Sequence, residues 1–153
     1  MGRNDTPADL RSMGQAMQLL GITSQLYAQR MEALLSPDDL TLAQFSMLVH
    51  LSRQTRPQRV SDIARAMGAN QPFVTKSLTK FDGLGLLDTT GDPDDRRSRC
   101  VKLNPSGHAR LGEIRGRLAP DVGTLFDGWS EKEVTRLIKA LGRLAQWFEA
   151  NRP

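Results

Sequence analysis

One stretch constrains this chain more than any other, Arg59 to Leu103, reading RVSDIARAMGANQPFVTKSLTKFDGLGLLDTTGDPDDRRSRCVKL. Two short helical patterns meet at Gly68-Ala69-Asn70, and two strand-like runs then enclose a polar loop. Ser61 is placed to cap the first helix, with Asp62 at its positive end, and Ile63, Ala64 and Met67 form an apolar face at helical spacing. Gly68 can take the left-handed conformation that ends a helix. Asn70, followed by Gln71-Pro72, caps the next one, since proline is tolerated in a first turn. So short a break between two such helices is the turn of a helix-turn-helix unit, whose second helix is shaped to enter a major groove.

That second helix has two faces. Val74, Ser77, Leu78 and Phe81 recur at three- and four-residue intervals and turn to the core. Asn70, Gln71, Pro72, Thr75, Lys76, Thr79 and Lys80 fall at its start or on the other side. Amides and long cations reach base edges, while hydroxyls and lysines also bond phosphates, so these residue types suit a groove-reading helix. An ordinary solvated helix face has the same composition, and the loop that follows has to decide.

Leu86-Leu87-Asp88-Thr89-Thr90 and Ser98-Arg99-Cys100-Val101-Lys102-Leu103 read as strands, and Gly91 to Arg97 as a tip too long for a two-residue hairpin turn. This wing sets Asp92, Asp94 and Asp95 beside Arg96, Arg97 and Arg99. Carboxylates repel DNA phosphate, so a purely electrostatic contact would not place them there. An aspartate two residues from an arginine can instead hold the guanidinium in one orientation, ready to enter a narrow minor groove. Asp95 and Arg97 have that spacing; Arg96 and Arg99 are assigned to phosphate. A mixed-charge hairpin tip on any protein surface is the plainer alternative.

The text VSDIARAMGANQPFVTKSLTKFDGLGLL followed by DPDDRRSRCVKLNPSG resembles the winged-helix multiple-antibiotic-resistance regulators, the MarR family. The second segment is similar to the family's wing signature, an acidic-basic tip running into a strand and then a Leu-Asn/Thr-Pro-x-Gly helix start. The joint pattern is far more specific than either half, and the likeness extends over nearly the whole chain. It implies a homodimeric repressor or activator bound to double-stranded DNA, with the helix beginning near Asn70 in the major groove and Arg97, oriented by Asp95, in the minor groove. It also implies that a small aromatic or phenolic effector can bind between the dimer helices and the DNA-binding lobe. Tyr27, Met31, Phe45, His50 and Trp129 are candidates to line such a cavity, and serve equally well as core.

The flanking segments fit this plan. From Asp9 to Leu35 there is no proline, and Leu10, Met13, Met17, Leu20, Ser24, Tyr27, Met31 and Leu34 follow helical steps, with Leu19, Ile22 and Leu26 widening the stripe. A helix of that length spans about 37 Å, more than one small domain needs, so it is expected to pack on something besides its own chain. Ser36-Pro37-Asp38-Asp39 breaks it, and Thr41 with Gln44 forms a capping box for the next helix, with Leu40 and Phe45 spaced as a hydrophobic staple. Arg53, Arg56 and Arg59 make a loose basic cluster that could touch the phosphate backbone, with a solvated loop as the plainer reading. Beyond the wing, Asn104-Pro105-Ser106-Gly107 starts a helix, and Pro120 should bend or break it near residues 117–120. Ser130 and Glu133 cap a last helix with Val134, Leu137, Ile138, Leu141, Leu144, Ala145 and Phe148 in one stripe. The expected fold is mainly α with a small antiparallel β-wing, one domain over 1–153. Its winged helix-turn-helix lobe lies at about 41–103 and its dimerisation helices at about 9–35 and 105–150.

Lysine and arginine exceed aspartate and glutamate by 21 to 17, and the net charge of +4 suits a polyanionic partner. No apolar run is long enough for a membrane span, and the opening MGRNDTPADL lacks a signal peptide's apolar region, so the expected location is the cytoplasm. An enzyme finds no support. His50 and His108 have no metal-ligand or phosphate-loop context, and neither a catalytic residue, a metal site nor a cofactor is assigned. Cys100, turned away from Val101 and Leu103 by strand alternation, is read as an unreactive thiol. Peroxide-sensing relatives carry their cysteine in the first helix, where this chain has none. A winged-helix module that binds proteins rather than DNA is the alternative function on the same scaffold.

Overall fold

The computed structural model describes residues 7–153. The start of the segment considered above for a leader, residues 1–6, lies outside the described residues. The elements run α1 (Leu10–Leu35), α2 (Leu42–Ser52), β1 (Gln58–Arg59), α3 (Val60–Met67), α4 (Gln71–Gly83), β2 (Leu87–Gly91), β3 (Arg99–Leu103), α5 (Pro105–Leu125) and α6 (Glu131–Ala150). A 3-10 turn, Ser36–Asp38, joins α1 to α2. Two units cluster separately, one ending at Glu113 and one running Ile114–Pro153.

In the first unit the helix ends follow from local chemistry. The Asp9 carboxylate accepts from the Ser12 amide at 2.7 Å and starts α1. Thr41 and Gln44 exchange the reciprocal bonds of a capping box at α2. Asn70 accepts from the Phe73 amide at 2.8 Å and starts α4, while Gly68, at φ 61°, stops α3 in the left-handed region. One cap differs from expectation: Ser61 does not cap α3. The strand pairing of Gln58 and Arg59 with β3 keeps the chain extended up to Arg59, so the helix starts at once with Val60. Arg59 is then the cap residue, and Asp62 reaches back to its amide at 3.3 Å.

The three strands form an antiparallel sheet in the order β1-β3-β2, with Gln58 opposite Val101 and Leu87 opposite Leu103. Because β3 is central, Cys100 is buried along with its neighbour Val101, although alternation places them on opposite faces. The first wing strand begins at Leu87 rather than Leu86, whose amide donates to the Phe81 carbonyl at the end of α4. α3 and α4 pack on each other and on the sheet, as α2 packs on β3, and together they bury Ile63, Ala64, Val74, Leu78 and Phe81 with Leu48, Leu51, Val101 and Leu103. Asn104 ties the wing's exit to this core, donating to the Gly85 carbonyl at 2.9 Å. Gly107 lies so close that a Cβ there would stand 2.4 Å from the Leu86 carbonyl oxygen.

α5 begins in the first unit and ends in the second. It neither breaks nor divides before Pro120, which sits inside a helix continuous to Leu125. A proline ring crowds the carbonyl four residues earlier, and here that residue is Gly116, the type freest to tilt. In the second unit Ser130 and Glu133 form the capping box of α6, Phe126 and Trp129 meet edge to face at 5.5 Å, and Ile114 and Leu118 are buried. No residue of α6 is buried.

Candidate nucleic-acid interface

α4 divides as its periodicity requires. Val74, Ser77, Leu78 and Phe81 are buried, which turns Gln71, Pro72, Thr75, Lys76 and Thr79 out to solvent. Not every polar group on that side is available. The Asn70 side chain is occupied as the cap, and the Thr79 hydroxyl donates to the Thr75 carbonyl at 2.9 Å. Lys80 is half-buried, with its ammonium on the Asp39 carboxylate at 3.0 Å.

The wing carboxylates fall into two groups. Asp92 and Asp94 turn to Arg59, whose Nη2 donates to Asp92 Oδ1 at 3.0 Å and to Asp94 Oδ2 at 3.1 Å, while Nε lies against Asp92 Oδ2. The Asp92 side chain is 1% exposed and also accepts the Asp94 amide at 2.9 Å. The Arg59 hydrogen bond, then the Asp94 amide, holds the Asp92 carboxyl below the usual range; the same partner raises the Arg59 guanidinium further. Asp95 behaves differently from the expected orienting partner: its Oδ1 accepts the backbone amide of Arg97 at 2.9 Å, shaping the turn rather than gripping the guanidinium.

Arg96, Arg97 and Arg99 are therefore left exposed, with no ion pair recorded for them among the described residues. The wing turns three guanidiniums to solvent, and α4 exposes an amide, hydroxyls and an ammonium; groups of both kinds suit a polyanion. Arg59 was legible only as part of a loose basic cluster. The available signal was the presence of wing carboxylates on a surface meant for DNA, which would repel them and so called for a cation elsewhere in the protein to hold them.

The candidate effector residues are scattered in character. Met31 is buried, Phe45 and His50 are half-buried, and Tyr27 is 50% exposed. His50 Nε2 is buried with no hydrogen-bond partner, and burial lowers the pKa of its imidazole. Trp129 belongs to the second unit. A recess of about 400 Å³ does open in the first unit, lined by Glu32, Ser36, Leu40, Thr41, Lys76 and Lys80 among others, and includes none of the five. Among the described residues no helix is long and apolar enough to cross a membrane, and no group of His, Cys, Asp and Glu is placed to hold a metal ion.

A helix-turn-helix with a three-stranded wing, its second helix presenting polar groups and its hairpin presenting arginines, defines a winged-helix protein of the DNA-binding class. The MarR family model matches residues 38–98, which take in α2, β1, α3, α4, β2 and the wing tip with Arg96 and Arg97, and over that stretch the chain is similar to the MarR family of transcription regulators. Its fold is shared with the transcriptional regulator BldR from Sulfolobus solfataricus, at TM-score 0.78 and 20% identity over 92% of this chain and 99% of that one. A probable transcriptional regulator from Pseudomonas aeruginosa is 27% identical at TM-score 0.66, covering 81% of this chain and 95% of its own. BpsR from Bordetella bronchiseptica, whose DNA binding is regulated by 6-hydroxynicotinic acid, is 25% identical at TM-score 0.70, covering 86% and 98%.

Proposed function

We propose that this regulator is a cytoplasmic homodimeric repressor that reads a near-palindromic operator. Gln71, Thr75, Lys76 and Thr79 face the major groove from α4, with Asn70 and Pro72 at its leading end. Arg97 enters the minor groove, and Arg96 and Arg99 bind phosphate beside it. The observation that carries this reading is the sorting of wing charges: two carboxylates are drawn to Arg59, and the three arginines beyond them stay exposed. Apolar side chains uncovered along α1 and α6 support a second copy as partner, which would present two α4 helices about 34 Å apart, one helical turn of DNA. A small aromatic or phenolic effector releases the operator in this scheme, as a reading supported by regulation of BpsR by a hydroxylated pyridine acid.

Duplex titration over a range of salt concentrations tests the DNA-binding reading. Affinity should fall steeply as salt rises, because each phosphate contact releases counterions. Replacing Arg97 by Ala should weaken binding by about 1–3 kcal/mol while leaving the melting temperature unchanged. A protein-binding module on the same scaffold would show little duplex affinity at any salt, and that result would remove the proposal.

A further inference from the structure

The corner between α1 and α2 holds α4 in a way the sequence does not announce. Its aspartates diverge: Asp38, with a 7% exposed side chain, accepts from Arg110 of α5 at 2.9 Å, while Asp39 turns to Lys80 of α4. Asp39 sits at φ 53°, the one non-glycine residue with positive φ among those described. Aspartate tolerates the left-handed region but does not favour it, and such a conformation persists where its surroundings hold it.

Lys80 supplies that hold. Its ammonium donates to the Asp39 carbonyl, lies 3.0 Å from the Asp39 carboxylate, and reaches Gln44 Oε1 at 3.5 Å. Gln44 Oε1 is itself the acceptor of the capping box that starts α2. An ammonium has three N–H donors, and these three acceptors occupy them. Lys80 has nothing left to offer a base edge or a phosphate, although its helix position groups it with the groove-facing residues. Lys76, one turn earlier, is exposed.

We infer that Lys80 is a positioning residue: locked onto Asp39, it sets the pitch at which α4 presents Gln71, Thr75 and Lys76 to the groove, and it does not touch DNA. This rests on the DNA-reading function proposed above. The corner that sets the pitch is also the end of α1 and, through Asp38, the partner of α5.

The test is duplex titration at several salt concentrations, with melting curves, for the wild type, Lys80→Met, Lys80→Arg, Asp39→Gly and Lys76→Met. Lys80→Met and Asp39→Gly should each weaken binding by roughly three- to tenfold, the size of a partly exposed charged hydrogen bond, with the salt slope unchanged. Lys76→Met should lower the slope by about one, as a lost phosphate contact does. Lys80→Arg keeps the cation and should keep both affinity and sequence preference. Glycine is at ease in the left-handed region, so Asp39→Gly should melt no lower than the wild type, and its loss of affinity separates positioning from folding. It also carries the test if Lys80→Met does not fold. A slope lowered by Lys80→Met, or affinity unchanged or raised in Asp39→Gly, would overturn the assignment. A wild type that binds no duplex would sink the DNA-reading function itself, and this inference with it, before any variant is compared.

Discussion

α4 and α6 are both amphipathic helices with a clear apolar stripe, yet one buries its stripe and the other does not. Val74, Leu78 and Phe81 of α4 are at most 6% exposed, whereas Ile138, Leu141, Leu144, Trp147 and Phe148 of α6 are each at least 40% exposed. α1 repeats the contrast along its own length, with Met31 and Leu35 buried at one end and Leu10, Met13 and Met17 exposed at the other. The lobe is thus complete as a folded object, and the outer helices are not. Apolar stripes of this size on an isolated chain mark where a further surface is meant to cover them.

The contrast predicts graded responses to substitution. Truncating Phe81 to Ala should cost about 3–5 kcal/mol in chemical denaturation, because the ring is fully buried and its cavity cannot collapse. Placing a methyl group at Gly107 should cost about 1–3 kcal/mol, since it would drive into the Leu86 carbonyl and the Leu103 side chain. In α6, Leu141→Ala with Trp147→Ala should change the stability of the dilute monomer by only about 0.5 kcal/mol per site. The same pair should shift sedimentation equilibrium towards the monomer. If this double variant unfolds the dilute chain as Phe81→Ala does, α6 belongs to an intrachain core and the contrast fails.

The smallest effect is a pH dependence. Burial holds the His50 imidazole below its ordinary value near 6.5, so the unfolded chain binds that proton more readily than the folded one. Stability should therefore be complete above about pH 6.5 and decline as pH falls below it towards the folded value. Replacing His50 by Gln should flatten the urea midpoint across that window, and an unaltered pH profile would remove His50 as its source.

Much of this arrangement was legible beforehand because its signals are local. Asn70, Thr41 with Gln44, and Ser130 with Glu133 start helices through bonds spanning three residues, and such bonds are written in the spacing. What stayed hidden depends on residues far apart in the chain. Arg59 meets Asp92 only because β1, too short to show any periodicity, pairs with β3. Lys80 of α4 meets Asp39 of the α1–α2 corner across 41 positions of chain, and helical periodicity alone assigns it to the groove. Pro120 does not break α5, which runs on to Leu125, so of the two outcomes its local rule allows the break is absent.

The joint use of α4 and the wing on DNA is tested most directly by selecting bound sequences from a random duplex pool at low salt. The account predicts enrichment of a near-palindrome whose half-sites lie about one helical turn apart, roughly 34 Å. A pool that emerges unenriched, or a single half-site with no symmetric counterpart, would contradict it.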